Sequence, residues 1–179
     1  MKLKIDNIEN NNLELSYSKK PENFPILEEM IRLGECIFKS MITIDMKIIR
    51  NFDMIEINGS LNMNVEFECS RCLCRFNMPV NSSFVLVFTN DRSMINITDK
   101  EKEVTEDEAD LLYYSGDEID LLEPVQEQIV MSMPSWPVCS ESCKGLCRQC
   151  GSNLNTDPCD CNEVKINPAF EVLAKWGKD

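Results

Sequence analysis

The chain has 179 residues, of which 43% are hydrophobic and 27% are charged, so it is long enough to bury a core of its own. It contains no histidine, which excludes Ser-His-Asp and Cys-His catalytic pairs, HExxH metalloproteases and zinc fingers with paired histidines. Lysine and arginine number 18 against 31 acidic residues, giving a net charge of −13. This excess of acid disfavours electrostatic wrapping of nucleic acid by the surface as a whole.

Apolar and polar residues alternate in the first half of the chain, after a short predicted helix over 24–33. The alternation covers residues 42–48 and then a longer run, 55–67. Period two is typical of an antiparallel sheet with one buried face. Gly59 lies among the apolar positions of the longer run and predicts a bulge or bend. The pattern returns over 76–88, which places the intervening CxxC, Cys69 to Cys72, at the tip of a hairpin.

Most of the negative charge lies in residues 99–127, which contain twelve acidic residues and two lysines. Residues 91–118 also lose periodicity, so we interpret this part as a solvated acidic loop. The alternative is that the acids form a decoy surface for a basic partner. No signal peptide is recognisable at the start, and no run approaches the ~18 apolar residues of a membrane span. We therefore expect a cytoplasmic protein with no membrane partner.

A helix is predicted to follow Asp120, which with Glu123 resembles a capping box. Its apolar residues recur at helical spacing: Leu121, Leu122, Val125, Ile129 and Met133. Pro134 and Pro137 are expected to end it. A last amphipathic helix is predicted to begin at Asn167-Pro168. Its apolar side chains are Phe170, Val172, Leu173 and Trp176.

These patterns together predict an α+β fold. It consists of an antiparallel meander that curls towards a barrel, a few helices and a C-terminal cysteine-rich module resembling a zinc ribbon. The predicted boundaries are 1–95 for the sheet with its CxxC tip and 96–118 for the acidic linker. Residues 119–179 contain the helix, the cysteine-rich module and the C-terminal helix. We expect the two parts to pack as one globular unit.

The cysteines carry the most specific signal in the sequence. Of ten, six fall within residues 139–161 and two form the CxxC at 69–72. Disulfides are rare in the cytosol, where clustered thiols indicate a metal site, and thiolates in tight turns suit zinc. Gly145 and Gly151 permit the positive φ angles that such turns use. We predict one or two structural Zn²⁺ ions on Cys69, Cys72, Cys139, Cys143, Cys147, Cys150, Cys159 and Cys161.

The spacing allows more than one partition of these thiols. Proximity favours two sites: Cys69, Cys72, Cys139 and Cys143 in one, and Cys147, Cys150, Cys159 and Cys161 in the other. The rival scheme has a single site formed by Cys69, Cys72, Cys147 and Cys150. An iron–sulfur cluster and unligated redox-active thiols are alternatives to zinc. Cys36 and Cys74 lack partners at metal-binding spacing, so we interpret them as packed or incidental thiols.

No catalytic residue is predicted. The CxxC of a disulfide oxidoreductase begins a helix, whereas this one lies between two strands. The sequence contains neither GxGxxG nor GxxxxGK, the glycine-rich loops that bind phosphates. Cys143, Cys147 and Cys150 have the spacing of radical-SAM enzymes, but the 29 residues after Cys150 are too few for their barrel. We therefore expect a protein that is not an enzyme.

The run C-x3-C-K-G-L-C-x2-C-G-x-N-L-N at 139–155, followed by the CDC at 159–161, resembles the bacterial YceD family of large-subunit ribosomal RNA accumulation proteins. Further similar motifs occur in the same order: C-x2-C-L at 69–73, the acidic stretch, IDLLEPV at 119–125 and MPSWPVC at 133–139. The resemblance covers roughly residues 35–175. It assigns no catalytic residue and implies that metal supports the fold.

The resemblance implies a ribosome-biogenesis factor that supports synthesis, processing or accumulation of large-subunit ribosomal RNA. Its expected partners are the precursor of that RNA, a basic large-subunit ribosomal protein, or both. Basic residues in or beside the CxxC turns are the candidate RNA contacts: Arg71, Arg75, Lys144 and Arg148. Two alternatives stand beside it. One is a chaperone whose acidic segment holds a basic ribosomal protein, and the other is a regulator that responds to redox state through its thiols or zinc.

Overall fold

The structure, a computed structural model, describes residues 1–8, 12–91 and 111–161. The predicted C-terminal helix and most of the predicted acidic loop lie outside these residues. The described elements, in chain order, are β1 (Lys2–Lys4), β2 (Asn12–Lys19), α1 (Pro25–Leu33), β3 (Cys36–Phe38), β4 (Ile42–Asn51), β5 (Met54–Glu68), β6 (Arg75–Thr89), β7 (Leu111–Tyr113), β8 (Glu118–Asp120) and α2 (Leu122–Ser132). Short 3₁₀ turns at Ile5–Asn7 and Pro21–Asn23 complete this part of the chain.

Six strands form the main sheet, in the order β2-β4-β5-β6-β7, with β3 also paired to β5. The long strands β5 and β6 pair antiparallel along all 15 residues, and the CxxC lies at their tip as predicted. No pairing joins β2 to β7 within the described residues, so the sheet is open. The predicted curl towards a barrel is therefore wrong. The apolar face is instead covered by the helices, whose buried side chains share one core cluster with those of the strands.

Strand β7 lies in the segment for which we predicted a loop, and β8 begins at the last residue of that segment. β7 pairs parallel to β6, and β8 pairs antiparallel to β1, so both belong to sheets. Tyr114 and Ile119 beside them are buried in the core. Strands of three residues show too little alternation to be recognised from sequence, and the surrounding acids dominate the pattern.

Gly59 makes room for an aromatic ring. The register runs through it without an extra residue, pairing it with Met46 on β4 and Phe84 on β6. The predicted bulge is therefore wrong. A Cβ atom built on Gly59 would lie 2.0 Å from Cζ of Phe84, so the ring occupies the space that any larger residue would need.

The two helices contact each other through a buried glutamine. Oε1 of Gln126 on α2 accepts the backbone N–H of Ile26 at 2.9 Å, and Gln126 is only 5% exposed. Ile26 lies in the first turn of α1, where backbone N–H groups have no partner within the helix. The bond thus gives a backbone N–H at the start of α1 its hydrogen-bond partner and joins α1 to α2.

The start of α2 differs by one residue from the prediction. Its N-cap is Leu121, although Oδ1 of the predicted Asp120 accepts the N–H of Leu122 at 2.9 Å. That bond is the main cause that lowers the pKa of Asp120. The predicted apolar face is confirmed, since Val125 and Ile129 are fully buried. No helix in the described ranges is long and apolar enough to cross a membrane.

We predict that Gly59→Ala lowers the free energy of unfolding by about 1–3 kcal/mol, because the added methyl overlaps the Phe84 ring. Denaturant unfolding followed by circular dichroism measures the loss. Ser60→Ala, at the next and exposed position, is the control and changes stability by less than about 0.5 kcal/mol. In a Phe84→Leu background, Gly59→Ala costs much less, since the ring is gone. An equal loss in both backgrounds would show that the ring is not the cause.

Candidate metal centre

The eight clustered cysteines converge in two groups. The inner tetrad is Cys69, Cys72, Cys139 and Cys143, and the outer tetrad is Cys147, Cys150, Cys159 and Cys161. Within each tetrad all Sγ atoms lie within 4.8 Å of one another. These two groups are the partition that the proximity of the cysteines in the sequence favoured. The rival site of Cys69, Cys72, Cys147 and Cys150 does not form in the structure.

A tight turn at the hairpin tip, residues 69–74, brings the Sγ atoms of Cys69 and Cys72 within 4.8 Å of each other. The N–H of Leu73 donates to the carbonyl of Cys69 at 2.9 Å, and the N–H of Cys69 donates to the carbonyl of Cys74 at 2.9 Å. Leu73 has a φ of 59°, in the left-handed region that usually requires glycine. A strain of about 1–2 kcal/mol is therefore built into this turn.

Backbone hydrogen bonds dock the hairpin tip onto the segment around the other two inner cysteines. The N–H of Ser70 donates to the carbonyl of Pro137 at 2.8 Å, and the N–H of Leu146 donates to the carbonyl of Arg71 at 3.1 Å. Gly145 has a φ of 74°, and a Cβ atom there would lie 3.0 Å from the same Arg71 carbonyl oxygen. The close approach of the two segments thus requires a glycine.

The inner tetrad has the dimensions of a tetrahedral zinc site. Sγ of Cys72 lies 3.7 Å from Sγ of Cys139, and Sγ of Cys69 lies 3.9 Å from Sγ of Cys143. Four sulfurs at ~2.3 Å from one Zn²⁺ are separated by about 3.8 Å. Cys69, Cys72 and Cys143 are buried. The donor set and its spacing therefore fit a structural zinc ion held by four thiolates.

The surroundings of the inner tetrad favour a thiolate at Cys69. Burial raises its pKa, but hydrogen bonds from the backbone at Cys139, Cys72 and Arg71 outweigh it and lower the pKa to about 6. One of them, from the N–H of Cys139, spans 3.4 Å. Burial and the four neighbouring thiols raise the pKa of Cys139 instead. The pKa of Cys69 is thus lowered while that of Cys139 is raised. A bound cation would favour the thiolate form of both residues, because metal ligands must be deprotonated.

The outer tetrad forms a second, more exposed turn. Cys150 and Cys161 are exposed, whereas Cys147 and Cys159 are half-buried. The turn closes through the N–H of Gly151, which donates to the carbonyl of Cys147 at 2.9 Å, with Gly151 at a φ of 75°. The N–H of Gln149 donates to Sγ of Cys147 at 3.4 Å. This tetrad therefore lies within reach of solvent, unlike the inner one.

Two exposed thiols of the outer tetrad differ in acidity. Hydrogen bonding with the side chain and backbone of Ser152 lowers the pKa of Cys150 to about 6. The neighbouring thiols of Cys150 and Cys159 raise the pKa of Cys161 to about 12. These pKa values favour the thiolate form of Cys150 and the thiol form of Cys161 near neutral pH, although both residues are exposed.

The structure brings a fifth cysteine to the inner tetrad, which the sequence analysis missed. Sγ of Cys74 lies 3.1 Å from Sγ of Cys72, so this thiol, which we interpreted as packed or incidental, is packed against the inner tetrad. The sequence did contain a signal, because Cys74 follows the predicted ligand Cys72 at the same C-x-C spacing as the predicted ligands Cys159 and Cys161. Cys36 is buried in the core, where desolvation raises its pKa.

The four basic candidates have different surroundings. Nη1 of Arg71 donates to the carbonyls of Glu141 and Cys143 at 3.1 and 3.2 Å, which occupies it in docking the hairpin tip. Arg75 lies 3.6 Å from the carboxylate of Glu66. Lys144 and Arg148 are exposed, and neither forms an ion pair within the described part of the chain.

Comparison with known proteins gives a family match and several distant relatives. The family described as large ribosomal RNA subunit accumulation protein YceD matches residues 57–176. An uncharacterised protein of Mycobacterium tuberculosis is 26% identical over 136 residues, which are 76% of this chain and 62% of that protein. The chloroplastic large ribosomal RNA subunit accumulation protein YCED homolog 1 of Arabidopsis thaliana is 24% identical over 151 residues, covering 74% of this chain and 47% of the plant protein.

The chain therefore spans between about half and three fifths of the length of these relatives. The homolog 1 of Zea mays is 22% identical over 149 residues and has 51% of its length covered. No solved structure matches the chain.

We predict that iodoacetamide modifies Cys150 of the metal-free protein faster than Cys161 at pH 7, because only thiolates react. At a pKa of about 6, about nine-tenths of Cys150 is thiolate at pH 7. Its rate of alkylation should therefore fall below pH 6 and level off above pH 7. The rate at Cys161 should keep rising towards pH 12, in line with its raised pKa. Fragment-ion mass spectrometry separates the two sites, and equal rates at pH 7 would contradict the assignment.

Proposed function

The chain belongs to the YceD family, and from this we propose that it is a ribosome-biogenesis factor, without enzymatic activity, that supports accumulation of large-subunit ribosomal RNA. The names of the plant relatives, large ribosomal RNA subunit accumulation proteins, support the role. We further propose that the protein acts in the cytoplasm, on a precursor of the large subunit.

In this proposal each tetrad holds one Zn²⁺ ion with a structural role. A site of four thiolates leaves no open position for water or substrate, which is typical of structural rather than catalytic zinc. The inner ion would join the hairpin tip to residues 139–143, and the outer ion would close the turn at 147–161. The chain's own contribution is the set of N–H···S hydrogen bonds that favour the thiolate form.

The proposed RNA contact lies within residues 136–148, and the observation that carries it is the exposure of Trp136, Lys144 and Arg148. The two cations form no ion pair with the residues that the structure describes. Trp136 is 81% exposed, and it precedes Pro137, whose carbonyl holds the hairpin tip. Lys144 lies in sequence between Cys143 and Gly145, which both approach Arg71 of the hairpin tip. Exposed aromatic rings stack on unpaired bases, and lysine and arginine bind phosphates.

The net charge of −13 restricts how such a contact works. The molecule as a whole repels RNA, so binding depends on a few short-range contacts rather than on a broad basic surface. With Lys144 and Arg148 as the two phosphate contacts, the logarithm of affinity should fall with the logarithm of salt concentration with a slope of only about −1.4 on single-stranded RNA.

We predict that Lys144→Glu/Arg148→Glu weakens association with large-subunit precursor particles about tenfold or more, since two phosphate contacts become repulsive. Co-sedimentation in sucrose gradients measures the bound fraction. The matched control is Lys20→Glu/Lys47→Glu, which makes the same charge change at exposed positions outside the metal module. Equal binding by both variants would overturn the assigned contact. Association that survives ribonuclease and is lost at high salt would instead support a basic ribosomal protein as the partner.

Depletion of the protein from its host tests the role itself. The expected result is a selective fall in large-subunit RNA and particles in the gradient profile, restored by the wild-type protein. A normal profile across growth temperatures would contradict the proposed function while leaving the metal centre untouched.

A further inference from the structure

The inner metal centre has five thiols rather than four. Cys74 is half-buried and packs against the same cluster as the inner tetrad. Its Sγ lies 3.1 Å from Sγ of Cys72, and the thiol also interacts with that of Cys139. Cys74 thus faces one edge of the tetrad, the edge formed by Cys72 and Cys139.

The distances separate this fifth sulfur from the other four. Neighbouring sulfurs on one tetrahedral Zn²⁺ are about 3.8 Å apart, and the measured edges of 3.7 and 3.9 Å agree with that value. A separation of 3.1 Å is too short for two separate corners of one tetrahedron. Cys72 and Cys74 therefore cannot both be ligands in this arrangement, and each excludes the other from the same corner.

We propose that Cys74 is a reserve metal ligand, which takes the coordination position of Cys72 when the Cys72 thiol is lost. The inference rests on the proposed metal at the inner tetrad. Sγ of Cys74 needs to move only about 3 Å to reach that corner, because it lies 3.1 Å from Sγ of Cys72.

Cys69 and Cys143 have no such substitute. Cys69 and Cys143 lie on the opposite edge of the tetrad, 3.9 Å apart. The outer tetrad also lacks a spare thiol, because the one remaining cysteine, Cys36, is buried in the core of the sheet. The chain therefore tolerates chemical loss of one ligand at a single corner of one site.

Four variants of the full chain test the proposal: Cys72→Ser, Cys74→Ser, Cys143→Ser and Cys72→Ser/Cys74→Ser. Each is refolded with Zn²⁺ and its metal content is counted by native mass spectrometry. Co²⁺ then replaces zinc, and the absorption of the cobalt–thiolate bonds reports the number of sulfur ligands. The outer tetrad is unchanged in all variants and serves as an internal reference.

We expect Cys74→Ser to match the wild type, with two ions per chain. Cys72→Ser should also keep two ions and a four-thiolate cobalt spectrum, with zinc affinity within about tenfold of the wild type. Cys143→Ser and the double variant should lose a thiolate from the inner site and bind its zinc more than about a hundredfold more weakly. Alkylation of Cys74 should be slower in Cys72→Ser than in the wild type, because the thiol is then bound to metal.

Two outcomes overturn the proposal. In one, Cys72→Ser behaves like Cys143→Ser, either by losing the inner ion or by failing to fold. In the other, the double variant keeps the inner ion as well as Cys72→Ser does, so Cys74 contributes nothing. Failure of the metal assignment itself looks different, because the wild type would then bind no ion at the inner tetrad.

Discussion

The convergence of four thiols from two distant parts of the chain is the constraint on which the rest of this structure depends. Cys69 and Cys72 lie at the tip of a hairpin whose strands are 15 residues each, and Cys139 and Cys143 follow the last described helix. A metal ion bound by all four thiols would close a loop of more than sixty residues, and such closure would restrict the unfolded chain more than a local turn does.

The contact between the hairpin tip and the segment around Cys139 and Cys143 also determines which side chains nearby remain exposed. Backbone hydrogen bonds at Ser70, Arg71 and Leu146 join the hairpin tip to residues 137–146, so the tip is not a free loop. Trp136 and Lys144 flank the contact and remain exposed. The side chain of Arg71, which sequence alone suggested as an RNA contact, is occupied in holding the two segments together. The inner tetrad and the proposed RNA contact are thus close together in sequence, although the cysteines of the tetrad and the residues proposed to contact RNA differ.

The sheet and the metal centre could be predicted to different depths. Period-two alternation located β4, β5 and β6 because each is long and has one buried face. The two tetrads followed from thiol spacing, since ligands close in sequence share turns. The contact of the fifth thiol, Cys74, with Cys72 was not predicted. It depends on the direction of the Cys74 side chain in the turn, and the spacing of cysteines in the sequence does not give that direction.

The remaining errors have the same physical origin. The bulge expected at Gly59 was wrong because the meaning of that glycine depends on Phe84, 25 positions away in sequence and opposite in space. The strands β7 and β8 were missed because they depend on long-range pairing with β6 and β1. In each case the missing information was the identity of the neighbour in space, which a local sequence pattern does not contain.

Amide hydrogen exchange on the metal-loaded and the chelator-treated protein tests the central claim most directly. If the inner ion joins the two segments, the amides of Ser70 and Leu146 lose protection together after chelation, while the paired amides of β4 and β5 stay protected. Protection of Ser70 and Leu146 that does not change with chelation would contradict the account, because the junction would then not depend on metal.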